Sequence, residues 1–444
     1  MGDQPLLLGL DVGTSRTKAL LLDGEGEERR SFTVTTPFAA GEEGREMAVE
    51  ALLGSLGRLL GGLGDEIERV EAVAVAGLAE SGAPLDGRGR PLAPVIAWHD
   101  PRGEEAVERL KERFGEGLDR RIGQPLRTVS SVAKLGWLGD HGVEGIRRWL
   151  GVPELCLFHL TGEEVTEHSL AARTGAYEVV EQRYMPEVVD ALGLGGDVFP
   201  PVLAAGSPMG RVSAQGSAWS GLPEGIPVTI GGHDHLAGAE GVGASLQDLV
   251  NSVGTAETVM RRSAEAPDVG KALELRTAVT VRPGGGEWVV LASAARAGLV
   301  LEAAAGALGR SLAELDDLAR EAGEVEVGDD LVRSIQAGDH PDLPEAEPGE
   351  VWNGLLRALS ERTFESAGRL VELLGPAERL LVFGGGSRSA HWMRVKAQVG
   401  DLPVLRTRSP DAVARGAACF AGVAGQWWGS VEDAPRPPLE EAGP

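Results

Sequence analysis

Two carboxylates and three turns rich in glycine and hydroxyls carry the chemistry open to this chain. Asp11 ends the apolar run Leu6-Leu7-Leu8-Gly9-Leu10 and is followed by Gly13, Thr14, Ser15, Thr17 and Lys18, then by the apolar return Ala19–Leu22. Gly13 has no Cβ, so its backbone N–H can approach an anion closely. The hydroxyls add donors, and a carboxylate such as Asp11 can hold Mg²⁺ through oxygen, usually by way of water. The group suits the terminal phosphates of a nucleotide, although Gly, Asp and Ser also build an ordinary Asx turn. A similar turn recurs at Ser252-Val253-Gly254-Thr255-Ala256.

Asp234 follows the strand-like run Ile226–Ile230 and Gly231-Gly232-His233, and opens a helix of small residues. In α/β sheets ligands bind where strands end, and an Asp there can take the proton of a hydroxyl that attacks a phosphoryl group. His233 and His235 could orient or tune it. The same position suits an N-cap Asp. A His-Asp-His zinc cluster is disfavoured, because adjacent residues are not expected to point the same way. Gly384-Gly385-Gly386-Ser387 lies between a strand and a helix, where backbone amides and the helix dipole meet; it lacks both the Walker and the dinucleotide spacing. Glu80, Trp98, Asp100 and Arg102 form a polar cluster of the kind that binds a polyhydroxylated ligand. Surface loops around one buried Trp would read alike.

These residues need elements to hold them. Strands are expected at Leu6–Asp11, Lys18–Leu22, Val70–Ala76, Pro94–Trp98, Ile226–Ile230, Leu249–Val253, Glu257–Met260 and Arg379–Phe383. An amphipathic helix is expected over 43–62, a charged one over 104–113, mostly helix over 128–192, and helices near 296–308, 311–322, 350–374, 389–399 and 411–425. The strand–turn–strand that occurs once in each half points to two related domains. With 444 residues the chain exceeds one ordinary core. The expected division is 1–244, 245–428 and a disordered tail over 429–444.

Hydrophobic residues at 42% and charged residues at 25% give a soluble, globular balance. Forty-two basic against 67 acidic side chains give a net charge of −25, which argues against a nucleic-acid surface. No apolar run is long enough to span a membrane, and no basic-then-apolar leader is visible. Cys156 and Cys419 alone make no disulfide framework. A cytoplasmic enzyme is expected.

In order along the chain, these motifs resemble those of the FGGY carbohydrate kinases, part of the sugar kinase, actin and heat-shock ATPase superfamily. The stretches are Leu10–Ser15, Trp98-His99-Asp100-Pro101-Arg102, Leu160-Thr161-Gly162, Gly231–Asp234, Ser252–Ala256, Phe383–Ser387 and Arg415-Gly416-Ala417-Ala418. The resemblance implies an α/β fold of two ribonuclease-H-like, actin-like ATPase domains flanking a deep catalytic cleft. It implies transfer of a phosphoryl group from ATP, with Mg²⁺, to a hydroxyl of a small sugar, ketose or polyol. Asp234 then becomes the general base and Asp11 the Mg²⁺-associated carboxylate. Thr14, Ser15, Lys18, Gly254, Thr255, Gly298, Gly385, Gly386 and Ser387 become nucleotide contacts. Glu80, Trp98, Asp100, Arg102, His233 and Asp234 become sugar contacts. His235 and Lys396-Ala397-Gln398-Val399 depart from the family pattern, which leaves the sugar open. A non-kinase ATPase or nucleotide-gated binding protein of the same superfamily is the alternative, and a homodimer is the default assembly.

Overall fold

β1 (Leu6–Val12) is buried along its whole length. A strand covered on both faces reads as a continuous apolar run rather than an alternation. Its computed structural model, which describes residues 4–41, 44–339, 341–409 and 411–443, shows what covers it. One face packs against α1 (Val49–Gly61) and α2 (Val152–Thr161), through Leu52, Leu56, Leu59, Leu155 and Leu160. The other face meets small residues. A Cβ on Gly9 would lie 1.8 Å from the Ala414 carbonyl oxygen, and one on Gly416 1.8 Å from that of Ala237. Backbones this close leave no room for a side chain at these two positions.

The chain falls into two units. The first comprises residues up to Gly243 with Val279–Trp288 and Val413–Arg436, and the second Ala244–Ala278, Val289–Ala412 and the residues from Pro437. In the first, β2 (Arg16–Leu22), β3 (Glu28–Thr35), β4 (Val70–Gly77), β5 (Gly210–Arg211) and β6 (Pro227–His233) join β1 in the order β5-β6-β4-β1-β2-β3. The second holds β7 (Asp248–Val253), β8 (Glu257–Ser263), β9 (Trp288–Ala295), β10 (Arg379–Phe383), β11 (Val404–Thr407) and β12 (Leu439–Glu441), in the order β9-β8-β7-β10-β11-β12. In each sheet an antiparallel hairpin, β1–β2 or β7–β8, leads into two parallel strands and closes on an antiparallel edge strand. Over these six strands the order is the same twice, as expected of two related domains.

Three expectations change. The break falls after Gly243, and residues 413–428 join the first unit instead of the second, because the small residues of α8 (Ala412–Ala424) pack beneath the first sheet with Leu7, Leu22 and Ala74. The tail is not structureless over its described residues. Arg415 Nη2 donates to the Pro435 carbonyl at 2.8 Å, and β12 pairs with β11 while Arg406 and Arg408 reach Glu440. The span 128–192 is broken by short strands at Arg148–Gly151, Thr166–Glu167, Tyr177–Glu178 and Arg183–Tyr184. No helix among the described residues is long and apolar enough to cross a membrane.

Candidate active site

The β1–β2 turn is tight: Gly13 N–H donates to the Arg16 carbonyl at 3.1 Å. Asp11, at the sheet end of this turn, is buried, with Lys18 Nζ at 3.9 Å from its Oδ2. Thr36 ties the turn down, its hydroxyl donating to the Gly13 carbonyl at 2.8 Å. Trp98 donates from Nε1 to Thr14 Oγ1 at 3.0 Å, so a sugar-contact candidate and a phosphate-contact candidate share a hydrogen bond. Ser15 is exposed.

Asp234 is the first residue of α4 (Asp234–Gly241), directly after β6. The register of β6 against β4 shifts between Ile230 and Gly232, and Gly232 sits at φ +101°, a conformation that favours glycine. The irregularity re-aims the end of the strand. Asp234 keeps about a quarter of its side chain exposed, with His233 Nε2 3.2 Å and His235 Nε2 4.0 Å from its Oδ1. The ligand atoms of all three residues lie within 4.8 Å of one another. Adjacency was expected to separate them; the passage from strand to helix turns them together instead. Burial pushes the His233 imidazole down to about 4, so at neutral pH it is uncharged. Its Nδ1 finds no partner among the described residues, which leaves Nε2 as the nitrogen facing the carboxylate.

Glu80 does not stand alone. Arg173 donates from Nε to its Oε1 at 2.7 Å and from Nη1 to Gln124 Oε1. Glu80 is held at φ 62°, and non-glycine residues in that region cluster at functional sites. Asp100 and Arg102 form a buried bidentate pair: Nε to Oδ1 at 2.7 Å and Nη2 to Oδ2 at 2.9 Å. Arg45 N–H is also on Asp100, and Glu46 on Arg102. Their polar atoms are largely satisfied by one another and by the strand Arg45–Met47. Lys134 is completely buried and donates to the Trp98, Thr128 and Val129 carbonyls at 3.3, 2.9 and 2.8 Å. Burial pulls its ammonium down to about 8.

In the second unit the β7–β8 turn is one residue tighter, with Gly254 N–H on the Ala256 carbonyl at 3.0 Å. Gly298 backs it. A Cβ there would lie 2.6 Å from the Gly254 carbonyl oxygen and 2.9 Å from Thr255 Cα, so α5 (Ala297–Leu308) starts against the turn. The Gly-rich turn forms a 3₁₀ segment, Gly385–Arg388. Cβ atoms on Gly384 and Gly386 would meet Val253 at 2.5 and 2.4 Å, whereas Gly385 faces open space. The two turns are therefore neighbours at the ends of β7 and β10.

Comparison with known proteins finds two family domains along the chain. Residues 6–241 match the N-terminal domain of the FGGY family of carbohydrate kinases, and residues 249–425 its C-terminal domain. The chain belongs to this family. It is an ATP-dependent carbohydrate kinase with the actin-like ATPase fold. An L-fuculokinase of Salmonella typhi is 28% identical over 97% of this chain and 93% of its own length. A xylulose kinase of Streptomyces coelicolor is 29% identical over 94% of this chain and 87% of its own. The fold is that of a xylulose kinase from Rhodospirillum rubrum (TM-score 0.83, 24% identity, 99% of this chain and 94% of that one) and of a glycerol kinase from Plasmodium falciparum solved with ADP (TM-score 0.82, 17% identity, 99% and 94%). Arg173, Gln124 and Lys134 are the polar residues of this kinase that motif reading missed. Only Lys134 left a signal, as the one charge within Ser131–Leu138.

Proposed function

We propose that this kinase transfers the γ-phosphoryl group of ATP to a hydroxyl of a small ketose, with Asp234 as the base. The observation that supports this most is the setting of Asp234: a partly exposed carboxylate at the head of a helix, beside an uncharged His233. A neutral imidazole donating from Nε2 can orient the carboxylate without competing for the acceptor's proton. The Asp234 oxygen facing the acceptor removes the hydroxyl proton as oxygen attacks phosphorus. Little else is asked of the protein chemically, since phosphoryl transfer depends mainly on positioning and charge.

The turns Gly13–Ser15 and Gly254–Thr255 offer N–H and hydroxyl donors to phosphates, with Lys18 as an added cation. Gly385 faces open space between Gly384 and the buried Ser387, and with Gly386 and Ser387 this turn is offered to the adenosine. Asp11 is a hard oxygen donor beside the first turn, which fits Mg²⁺ better than a softer metal. When bound, Mg²⁺ neutralises charge on the phosphates. Glu80, held by Arg173, and Trp98 are the sugar contacts we favour. Asp100 and Arg102 hold the Trp98 loop in shape and contribute through it. A ketose comes first because fuculose and xylulose, the substrates named for two relatives, are both ketoses.

The test is ADP release with ATP, Mg²⁺ and a panel of ketoses, aldoses and polyols. One ketose should give turnover on the order of 1–100 s⁻¹. Asp234→Ala should lower that rate at least a hundredfold while ATP binding stays within a few-fold of the parent. A variant keeping more than a few per cent of the rate would remove Asp234 from the role of base.

A further inference from the structure

His233 and Asp234 owe their position to a contact from far away in the sequence. The His233 N–H donates to Ser169 Oγ at 2.9 Å, across 64 residues. The approach is tight: a Cβ on Gly232 would lie 2.9 Å from the same oxygen. Ser169 Oγ in turn donates to Glu167 Oε1, and Glu167 also accepts the N–H groups of Ser169 at 2.8 Å and Leu170 at 2.6 Å. Both side chains are completely buried. A hydroxyl carries one proton and two lone pairs. Ser169 gives that proton to Glu167 and keeps a lone pair for the His233 N–H.

We propose that Glu167 and Ser169 are positioning residues for catalysis, a two-residue relay that sets the Gly232–His233 peptide, one residue ahead of Asp234, and so the aim of the Asp234 carboxylate. The helix they start, α3 (His168–Ala171), has only four residues, too little to need a buried carboxylate as a cap. Burial raises the Glu167 carboxyl to about 7, so keeping it there costs stability that an apolar core residue would not. Two residues past this helix, Arg173 holds Glu80. One short segment thus touches the residue before the base at its start and a proposed sugar contact at its end.

This inference rests on Asp234 being the base, so Asp234→Asn is measured beside the relay variants. The full-length kinase is assayed with ATP, Mg²⁺ and whichever of D-xylulose or L-fuculose it turns over. Ser169→Ala should lower kcat on the order of 10- to 100-fold, the scale of a displacement of about 1 Å, with KM for ATP within twofold. Glu167→Gln should lower kcat about 3- to 10-fold, and Ser169→Thr, which keeps the hydroxyl, should restore most of the loss. If Ser169→Ala does not fold, Ser169→Cys, a weak acceptor of similar size, is read the same way. The proposal is overturned if these variants only melt earlier, with kcat per folded molecule within twofold of the parent. Should Asp234→Asn stay active, the base assignment fails. Should it be dead while Ser169→Ala keeps its kcat, the relay alone fails.

Discussion

The two hairpin turns share a glycine and hydroxyl pattern but differ in length and in the charges around them: Gly13 N–H closes on the Arg16 carbonyl, three residues on, and Gly254 N–H on that of Ala256, two residues on. In β1–β2 the residue two before the turn glycine is Asp11, a carboxylate near Lys18. In β7–β8 that place is taken by Ser252. The second hairpin has its carboxylate on the return strand, at Glu257, completely buried. There it meets Lys396 of α7 (Ala390–Val399) at 2.6 Å and the Thr363 hydroxyl of α6 (Pro348–Leu374) at 2.8 Å. One duplicated element thus carries a charge beside its turn in one copy and a charge paired deep inside the protein in the other. The glycine and hydroxyl pattern of the turn recurs in both copies, while the flanking charges differ.

The pairing can be broken most sharply at Lys396. Lys396→Met leaves Glu257 buried without its cation and should destabilise the second unit by about 3–5 kcal/mol, seen as an earlier thermal transition. A smaller effect is expected on the first hairpin: Asp11→Asn should lower kcat/KM on the order of 100-fold with little change in melting. The matched Ser252→Ala should cost less than tenfold, and equal losses at both would erase the contrast. Next comes a carboxylate of the first unit that burial leaves without a cation. Glu154 is raised to about 7, against about 4.5 when unfolded. The folded state therefore holds the extra proton between those values, and its stabilising contribution is complete below about 4.5 and lost as pH rises through 7. Glu154→Gln should flatten the fall in stability over pH 5–8 and stabilise the protein by about 2 kcal/mol at pH 8, with Glu167 supplying the slope that remains. Smallest is Gly298→Ala, whose methyl presses on the Gly254 carbonyl. It should raise KM for ATP about tenfold, or 1.4 kcal/mol, and leave the sugar KM unchanged.

Sequence carried the local grammar of this protein. The buried β1, its polar turn, the repeat in the second half, and a carboxylate where β6 becomes α4 are all set by neighbours in the chain, so periodicity and turn chemistry find them. Pairings over long separations stayed invisible. Arg173 meets Glu80 across 93 residues, and Lys396 meets Glu257 across 139; nothing local marks either partner. The same blindness hid that Asp100 and Arg102 hold each other. It also set His233, Asp234 and His235 apart, since neighbours in sequence diverge along a strand but need not where a strand turns into a helix.

The close contact between α8 and the first sheet also orders events in time. The strands that α8 covers leave the ribosome well before it, with Leu7, Leu22, Ala72, Ala74 and Ala76 forming an apolar floor. The helix that roofs this floor, with Ala417, Ala418 and Ala421, follows β7–β11 of the second unit in the chain. During synthesis the nascent chain must carry an unfinished core past the making of most of its second unit. A chain stopped before α8 would keep that sticky face for good, and such a fragment should be held by chaperones or aggregate instead of folding as a free domain.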